Sequence, residues 1–221
     1  FDAGGKAADP VEPADKHVTT DQLAGHVGAI HKLAFDPTGQ QIASAGADGT
    51  VRIWKRPALP QLLAENPSPV TVFIVSNDGK LVASAGKSNA RPAVFVRDLA
   101  TGKITATLLG HGADITSIAF NSNNTQLGTG SADKTARVWS LADAKFPELV
   151  KLEGHAQPVT AVAFSADNTQ LFTGGADNAI KQWNVADGAE VRTIAGHTAA
   201  ITALMVRGTT LFSGAADNTI R

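Results

Sequence analysis

The sequence has no cysteine and no long apolar run, and its positive and negative charges nearly balance. Without cysteine, the 221-residue chain can form neither a disulfide framework nor a thiolate metal site. Lys and Arg total 19 against 20 for Asp and Glu, so a net charge of −1 gives no long-range attraction for nucleic acid or anionic lipid. No stretch reaches the ~18 apolar residues that a membrane-spanning helix needs. We therefore expect no cofactor, no nucleic-acid partner and no direct membrane insertion.

The first residues differ in composition from the rest of the chain. Residues 1–16, FDAGGKAADPVEPADK, begin without Met and lack the apolar core of a signal peptide. They are rich in Ala, Gly, Pro and charge, so they cannot offset the entropy lost on ordering. We predict a linker here, with the native amino terminus upstream or removed, and one all-β domain over residues 17–221.

An internal repeat organises that domain. The dipeptide Gly-His occurs four times, with its histidine at positions 26, 111, 155 and 197, and the distances between these histidines are 85, 44 and 42 residues. The period is about 43 residues, because the first gap holds two repeats. Each of the first three histidines is followed 22 residues later by Asp, and each Asp six residues later by Trp.

Each repeat predicts four short strands. In the fourth unit, apolar or alternating runs at 159–164, 171–175, 179–183 and 190–195 are separated by SADN, ADN and NVADGA, which are turn compositions. A four-stranded sheet cannot bury both of its faces alone, so several such sheets must stack against one another.

The repeated Gly-His, the Ser or Thr in the second strand, the Asp in the next turn and the closing Trp resemble the WD-repeat family over about residues 17–221. The resemblance implies a β-propeller of four-stranded antiparallel blades and a hydrogen-bonded tetrad in each intact blade. The implied tetrads are His26, Ser44, Asp48 and Trp54; His111, Thr129, Asp133 and Trp139; His155, Thr173, Asp177 and Trp183; and an incomplete set of His197, Ser213 and Asp217.

A tetrad of this kind can also be compared with a catalytic triad, because it brings His, Asp and a hydroxyl together. We favour a structural role, since the group recurs in three units whereas an enzyme needs one site, and since the hydroxyl lies inside a strand. The remaining histidines, His17 and His31, have no ligand spacing, so no metal site is expected.

The second unit departs from the pattern. Asn66 stands where the His belongs, and Arg97 stands where the Trp belongs, so we expect no tetrad there. From Ser84 to Arg97 there are thirteen steps, against ten in the intact units, which predicts three inserted residues in the second-to-third-strand turn, GKSNARP. Two interpretations stay open: a degenerate blade that tolerated an insertion, or a recognition loop with flexible donors.

The resemblance also indicates where ligands touch: the residue before the first-strand aliphatic residue and the residue before the tetrad Asp. The first set is Ala29, Pro69, Asp114, Pro158 and Ala200, and the second is Ala47, Ala132, Ala176 and Ala216. These sets offer few of the aromatic or Arg anchors of tight interfaces. The candidate partner-binding residues are Asn66, Lys87, Ser88, Asn89, Arg91, Asp114 and Gln157.

We expect five blades, at about 25–65, 66–109, 110–153, 154–195 and an incomplete 196–221, which stops two residues before its Trp. This predicts a longer native protein. Residues 17–24, HVTTDQLA, resemble a fourth strand without its own blade. If this strand pairs with the fifth unit, the ring has five blades. If it pairs with blades beyond Arg221, the ring has the seven blades usual in the family, which we favour. An open fragment would expose apolar faces and could self-associate.

The predicted function is a non-catalytic scaffold that binds protein partners of unknown identity. The alternative is the propeller domain of a larger enzyme or redox protein whose catalytic domain lies outside this chain; a small-ligand or glycan-binding propeller has no support in the residues. Ala-rich repeats with SADN and SNDG turns resemble bacterial WD-repeat proteins, several kinds of which are exported, whereas a cytoplasmic location stays open.

Overall fold

The computed structural model describes residues 26–35, 41–55, 61–65, 68–143 and 145–221, and for Phe35, Lys55 and residues 61–65 it describes the backbone alone. The predicted linker at 1–16, the strand-like segment at 17–24, His17 and Asn66 lie outside these ranges. Within them the chain forms strands and turns and no helix, so none of the described residues belongs to a helix able to cross a membrane. The predicted all-β class is confirmed.

The strands form four sheets of four strands and a fifth of two strands, and each sheet is antiparallel with its strands side by side in chain order. The first sheet contains β1 (Ile30–Phe35), β2 (Gln41–Gly46), β3 (Thr50–Lys55) and β4 (Gln61–Glu65), and the second contains β5 (Phe73–Val75), β6 (Leu81–Ser88), β7 (Arg91–Asp98) and β8 (Ile104–Leu109). The third contains β9 (Ile115–Phe120), β10 (Gln126–Ser131), β11 (Thr135–Ser140) and β12 (Glu148–Glu153). The fourth contains β13 (Val159–Phe164), β14 (Gln170–Gly175), β15 (Ile180–Asn184) and β16 (Glu190–Ile194), and the fifth contains β17 (Ile201–Arg207) and β18 (Thr210–Ala215).

Because consecutive strands alternate in direction, each sheet has two ends with different connections. We call the end at which the second strand passes to the third, and the fourth strand to the next sheet, the upper face; the other end is the lower face. The Gly-His turns and the turns that carry the tetrad Asp residues therefore lie together on the upper face.

The apolar core lies between neighbouring sheets. Four clusters of buried side chains each join two sheets: first with second, second with third, third with fourth, and fourth with fifth. In each cluster an aliphatic residue near the start of the later sheet is almost fully buried, namely Val70, Ile115, Val159 and Ile201. Stacking buries both faces of the second, third and fourth sheets, as the repeat predicted.

The first and last sheets leave apolar side chains uncovered. Ile30 occupies the position of those four buried aliphatic residues, yet it is 49% exposed, and Leu33 on the same strand is 59% exposed. At the other end, Met205 and Phe212 are 48% and 39% exposed. These side chains lie where the inner sheets have a packed neighbour.

Two sets of hydrogen bonds also tie neighbouring sheets. On the first strands of the third and fourth sheets, the Thr116 hydroxyl donates to the Val159 carbonyl, and the Thr160 hydroxyl donates to the Ile201 carbonyl. At the lower face, the side-chain oxygen of Asn124 accepts the Asn77 N–H at 2.9 Å, and Asn168 accepts the Ser122 N–H at 2.8 Å. Such bonds satisfy turn backbone groups while they fix the spacing of the sheets.

Close contact between sheets depends on small residues in the second strand. A Cβ added at Gly174 would lie 2.4 Å from Ile201 Cγ2, and one at Gly130 would lie 2.8 Å from Val159 Cγ1. The equivalent residue in the fifth sheet, Gly214, faces only ordinary contacts at 3.8 and 3.9 Å.

We predict that Gly174→Ala lowers the free energy of unfolding by about 1–3 kcal/mol, because the added methyl group overpacks the contact with Ile201. Gly214→Ala is the matched control, and its effect should be within about 0.5 kcal/mol, as for a surface change. Denaturant-induced unfolding followed by circular dichroism measures both. Equal losses in the two variants would contradict the account of sheet packing.

Candidate functional site

The third sheet brings its four predicted tetrad residues together beneath the upper face. His111 lies with Nδ1 2.9 Å from Asp133 Oδ2 and with Nε2 2.8 Å from Thr129 Oγ1. The indole N–H of Trp139 donates to the same hydroxyl at 3.0 Å. Thr129 is fully buried, and Trp139 packs in the cluster between the second and third sheets.

The first and fourth sheets repeat this arrangement. His26 lies 3.0 Å from Asp48 and 2.7 Å from Ser44, and Trp54 donates to Ser44 at 2.6 Å. In the fourth sheet, the corresponding distances are 3.0 Å for His155 to Asp177, 2.7 Å for His155 to Thr173 and 2.8 Å for Trp183 to Thr173. The fifth sheet brings together His197, Asp217 and Ser213, with distances of 2.9 and 2.8 Å from the imidazole.

The carboxylate of each tetrad also holds the connection that enters its sheet. Asp133 Oδ2 accepts the N–H of Gly112 at 2.8 Å, and Asp177 Oδ2 accepts the N–H of Ala156 at 2.8 Å. Asp48 does the same for Val27, and Asp217 for Thr198, each at 2.9 Å. The tetrads therefore join the buried indole to the turns of the upper face.

A Thr two residues after the Asp completes three of these networks, and sequence reasoning missed it. The hydroxyls of Thr50, Thr135 and Thr219 donate to the preceding tetrad carboxylates at 2.8, 2.7 and 2.7 Å. The repeated Asp-x-Thr spacing in DGT, DKT and DNT was the available signal.

Electrostatics set the direction of the hydrogen-bond chain in the third sheet. Burial raises the pKa of Asp133, but hydrogen bonds from the Thr135 hydroxyl, the Gly112 N–H and His111 outweigh burial and hold this pKa well below its ordinary value. Burial, with a smaller effect of the Arg137 charge, lowers the pKa of His111, and although Asp133 opposes this lowering the pKa lies below its ordinary value. Asp133 is thus ionised and His111 neutral near pH 7, so Nδ1 donates to the carboxylate and Nε2 accepts from Thr129.

This arrangement leaves the hydroxyl unsuited to attack a substrate. The relative exposure of Ser44, Thr129 and Thr173 is 1%, 0% and 0%, and each hydroxyl oxygen already accepts an indole N–H. A nucleophile needs access to the reacting carbonyl or phosphoryl group. Among the described residues, no group of three His, Asp or Glu side chains has the geometry to hold a metal ion, and His31 is exposed on β1.

In the second sheet, where Arg97 stands in place of the Trp, part of the network is kept in another form. Arg97 is fully buried, and its Nη1 donates to the Ser84 hydroxyl at 2.8 Å, as Trp139 does to Thr129. The guanidinium lies 5.3 Å from the centre of the Phe95 ring. A guanidinium N–H thus supplies the donor that an indole supplies in the intact units.

The predicted insertion lengthens a hairpin, so its residues belong to a paired ladder and not to the flexible recognition loop that was one of the two open interpretations. Strands β6 and β7 each have eight residues, and their pairing continues through Lys87 with Pro92 and Ser88 with Arg91. Asn89 and Ala90 form the two-residue turn with φ angles of 48° and 66°. Two positive φ angles are what a tight hairpin turn of this twist requires, and the ladder orders the inserted residues.

Most of the candidate partner-binding residues lie exposed on the upper face. Lys87, Asn89, Arg91, Asp114 and Gln157 are exposed, and Ser88 is half-buried. Lys87 Nζ lies 3.2 Å from Asp114 Oδ1, so the hairpin of the second sheet reaches the connection of the third.

The two sets of residues that the resemblance assigned to ligand contact meet in pairs on this face. The N–H of Ala47 donates to the Ala29 carbonyl at 2.9 Å, and the same bond joins Ala132 to Asp114, Ala176 to Pro158 and Ala216 to Ala200 at 2.9, 2.8 and 2.9 Å. These residues are exposed or half-buried. Apart from Asp114, they present small apolar side chains.

Removing the tetrad hydroxyl should destabilise the fold, because the change is nearly isosteric but leaves two polar groups without a partner. Thr129→Val strands both the indole N–H of Trp139 and His111, and it should lower the free energy of unfolding by roughly 2–4 kcal/mol. Thr107→Val, at an exposed position on β8, is the matched control. If Thr129→Val proved no more destabilising than Thr107→Val in denaturant titrations, the tetrad would have no structural role.

Stability should fall in two stages as the pH is lowered. The folded-state pKa of His111 lies below its ordinary value of 6.5, so the stability that its neutral form provides is complete above pH 6.5 and declines below it. The pKa values of Asp48, Asp133 and Asp217 lie below their ordinary value of 3.8, so their contribution is present above that pH and is lost as pH falls further. Melting temperatures from pH 8 to pH 2 test this, and Asp133→Asn should weaken the lower stage. A melting temperature that rose on acidification would contradict these assignments.

Comparison with known proteins agrees with the repeated architecture. The sequence model of the WD domain, G-beta repeat family matches residues 16–55, 102–140, 146–184 and 188–221, which together exceed half of the chain. The matches leave out residues 56–101, where Arg97 replaces the Trp.

Several curated relatives share part of this region. The target of rapamycin complex subunit LST8 of Saccharomyces cerevisiae is 31% identical over 114 residues, covering 50% of this chain and 36% of the relative. Striatin-4 of Mus musculus is 34% identical over 94 residues, covering 42% of this chain and 12% of the relative. The transcriptional corepressor LEUNIG_HOMOLOG of Arabidopsis thaliana is 37% identical over 81 residues, covering 37% and 10%.

The matched part of this chain spans 36%, 12% and 10% of the length of these relatives, and all three come from eukaryotes, which gives no support to a bacterial source. Four sheets share one four-stranded plan, and the family model matches the first, third, fourth and fifth units at the period found in the sequence. The chain belongs to the WD domain, G-beta repeat family.

Proposed function

We propose that this chain is a non-catalytic scaffold that binds protein partners through the upper face of its sheets. One observation carries the proposal. The His, Asp and hydroxyl groups that could be taken for a catalytic triad recur in the first, third and fourth sheets, and each hydroxyl is buried and hydrogen-bonded to an indole N–H. The repeated tetrads hold the turns of the upper face in place, and the exposed surface of these turns is free to recognise a partner.

The upper face has the properties of a presented surface. The connections that enter the first, third, fourth and fifth sheets are each fixed twice, by the tetrad carboxylate and by a backbone bond such as the one from Ala176 to Pro158. Turns that are already ordered lose little entropy when a partner binds. The names of two relatives, a complex subunit and a corepressor, describe proteins that act with other proteins, which supports the same function here.

The test compares two matched substitutions, one on each face. Ala176→Arg places a long charged side chain on the upper face, between β14 and β15 of the fourth sheet. Ala142→Arg places the same side chain on the lower face, between β11 and β12 of the third sheet. With the tagged chain as bait in an extract of its source cells, we expect Ala176→Arg to reduce the quantity of specifically captured proteins at least about tenfold, because it adds a steric and charge clash to a packed contact. Ala142→Arg should capture the same proteins as the unchanged chain.

Light scattering of the purified chain alone separates binding of partners from self-association, to which the exposed Ile30, Leu33, Met205 and Phe212 could contribute. The proposal fails if no protein is captured specifically, or if Ala142→Arg abolishes capture and Ala176→Arg does not.

A further inference from the structure

The buried contact between the fourth and fifth sheets shows how one sheet receives the next. Ile201 of the fifth sheet packs over Gly174 of the fourth, where an added Cβ would lie 2.4 Å from Ile201 Cγ2. Ile201 also joins Ala161 and Ile180 of the fourth sheet in one buried cluster. The contact therefore has two halves: an aliphatic side chain on the first strand of the later sheet, and a seat of small and aliphatic residues on the earlier sheet.

The fifth sheet presents an unfilled seat of the same kind. Three of its residues hold the places of the seat residues of the fourth sheet: Ala203, Gly214 and Ile220 stand where Ala161, Gly174 and Ile180 stand. Ile180 is 4% exposed, whereas Ile220 is 81% exposed. Among the described residues, a Cβ added at Gly214 would meet only Thr202 and Ala203 of its own sheet, at ordinary distances. The space over Gly214 is therefore open.

A threonine beside this seat is also placed for the contact. In the fourth sheet, the Thr160 hydroxyl lies 3.0 Å from the carbonyl oxygen of Gly174 and also donates to the carbonyl of Ile201 in the next sheet. In the fifth sheet, Thr202 keeps the first of these bonds, to the Gly214 carbonyl at 3.1 Å. Its hydroxyl can therefore be shared with the carbonyl of a residue packed over Gly214, as the hydroxyl of Thr160 is shared with Ile201.

The first sheet presents the aliphatic half of the contact. Ile30 and Leu33 have the same strand register as Val159 and Val162 of the fourth sheet. Val159 is fully buried and Val162 is 6% exposed, because both pack in the cluster with the third sheet. Ile30 and Leu33 are 49% and 59% exposed. The aliphatic pair that fills a seat in the inner sheets therefore faces solvent in the first sheet.

These two faces match each other. Four buried clusters within the chain already join an aliphatic residue near the start of one sheet to the preceding sheet. Both faces stay exposed within the chain, at Ile30 and Leu33 on one side and at Met205 and Phe212 on the other. A second copy of the chain carries the matching half for each face, which makes it the occupant with the right residues at the right positions.

We propose that copies of this chain associate head to tail, with the first sheet of one copy packed on the fifth sheet of the next. Ile30 lies over Gly214 and against Ile220 of the neighbouring copy, and Thr202 of that copy donates to the Ile30 carbonyl. Because the two faces differ, the contact is heterologous, and association continues to a closed ring or a linear series. This surface is separate from the upper face, so the inference goes beyond the proposed scaffold function.

The first test is sedimentation velocity of the purified 221-residue chain from about 1 µM to about 1 mM, the range of weak and moderate protein contacts. The average mass should rise with concentration. Ile30→Lys and Ile220→Lys each place an ammonium group in an apolar contact, so each should weaken association at least about tenfold. The matched control is Leu149→Lys, at a residue that is 46% exposed on β12, and it should associate as the unchanged chain does.

Mixing the two variants tests the direction of the contact. Ile30→Lys keeps an intact fifth sheet, and Ile220→Lys keeps an intact first sheet. An equimolar mixture should therefore form a dimer of one copy of each, which grows no further because its two free faces both carry lysine. Failure of the mixture to form this dimer would overturn the proposal, and so would association of Ile30→Lys alone to the extent of the unchanged chain, since that result indicates contact between identical faces.

Gly214→Leu provides a variant without added charge. The leucine side chain fills the open space over the seat, so association should fall at least about tenfold while the melting temperature of dilute protein stays within a few degrees of that of the unchanged chain. Association equal to that of the unchanged chain would show that Gly214 receives no side chain from a neighbour.

The outcomes also separate this proposal from the scaffold function. A chain that stays monomeric throughout, whether its two faces remain open or close on each other, overturns the proposal and leaves the scaffold function intact. If the chain associates as expected and Ala176→Arg leaves protein capture unchanged, the head-to-tail contact stands and the upper face is not the docking surface.

Discussion

A four-stranded antiparallel sheet has no interior, and this constraint shapes the whole chain. Its second face can leave water only by packing on another sheet, so the buried apolar clusters lie between sheets and each spans two repeats. Small residues at positions such as Gly130 and Gly174 allow that approach, and the first-strand aliphatic residue of the next sheet fills the space. Ile30, the equivalent residue of the first sheet, is 49% exposed among the residues that the structure describes.

The tetrads connect this packing to the surface. The indole of Trp139 lies in the core, and the Asp133 carboxylate holds the Gly112 turn on the upper face, with His111 and Thr129 between them. Every donor of this tetrad has an acceptor within it, so its polar groups can be buried at little net cost. The same groups that stabilise a sheet therefore also fix the turns from which we infer that partners are recognised.

The sequence was informative wherever a residue type repeats at a fixed spacing. The four strands predicted for the fourth unit agree with β13–β16 to within a residue at each end, because alternation and turn residues are local signals. The course of the hairpin around Asn89 was not predictable, since whether inserted residues form a loop or lengthen a ladder depends on cross-strand pairing. The bridging of sheets by Asn124 and Asn168 depends on contacts between repeats that no single unit displays.

The direction of the hydrogen-bond chain is the most direct consequence of the account, and the side-chain nitrogen signals of His111 report it. Long-range ¹⁵N–¹H NMR at pH 7, with the signals assigned by their loss in His111→Gln, distinguishes the two neutral tautomers and the charged ring. The account predicts a neutral imidazole with its proton on Nδ1, facing Asp133. A proton on Nε2 alone, or a fully charged ring, would contradict it.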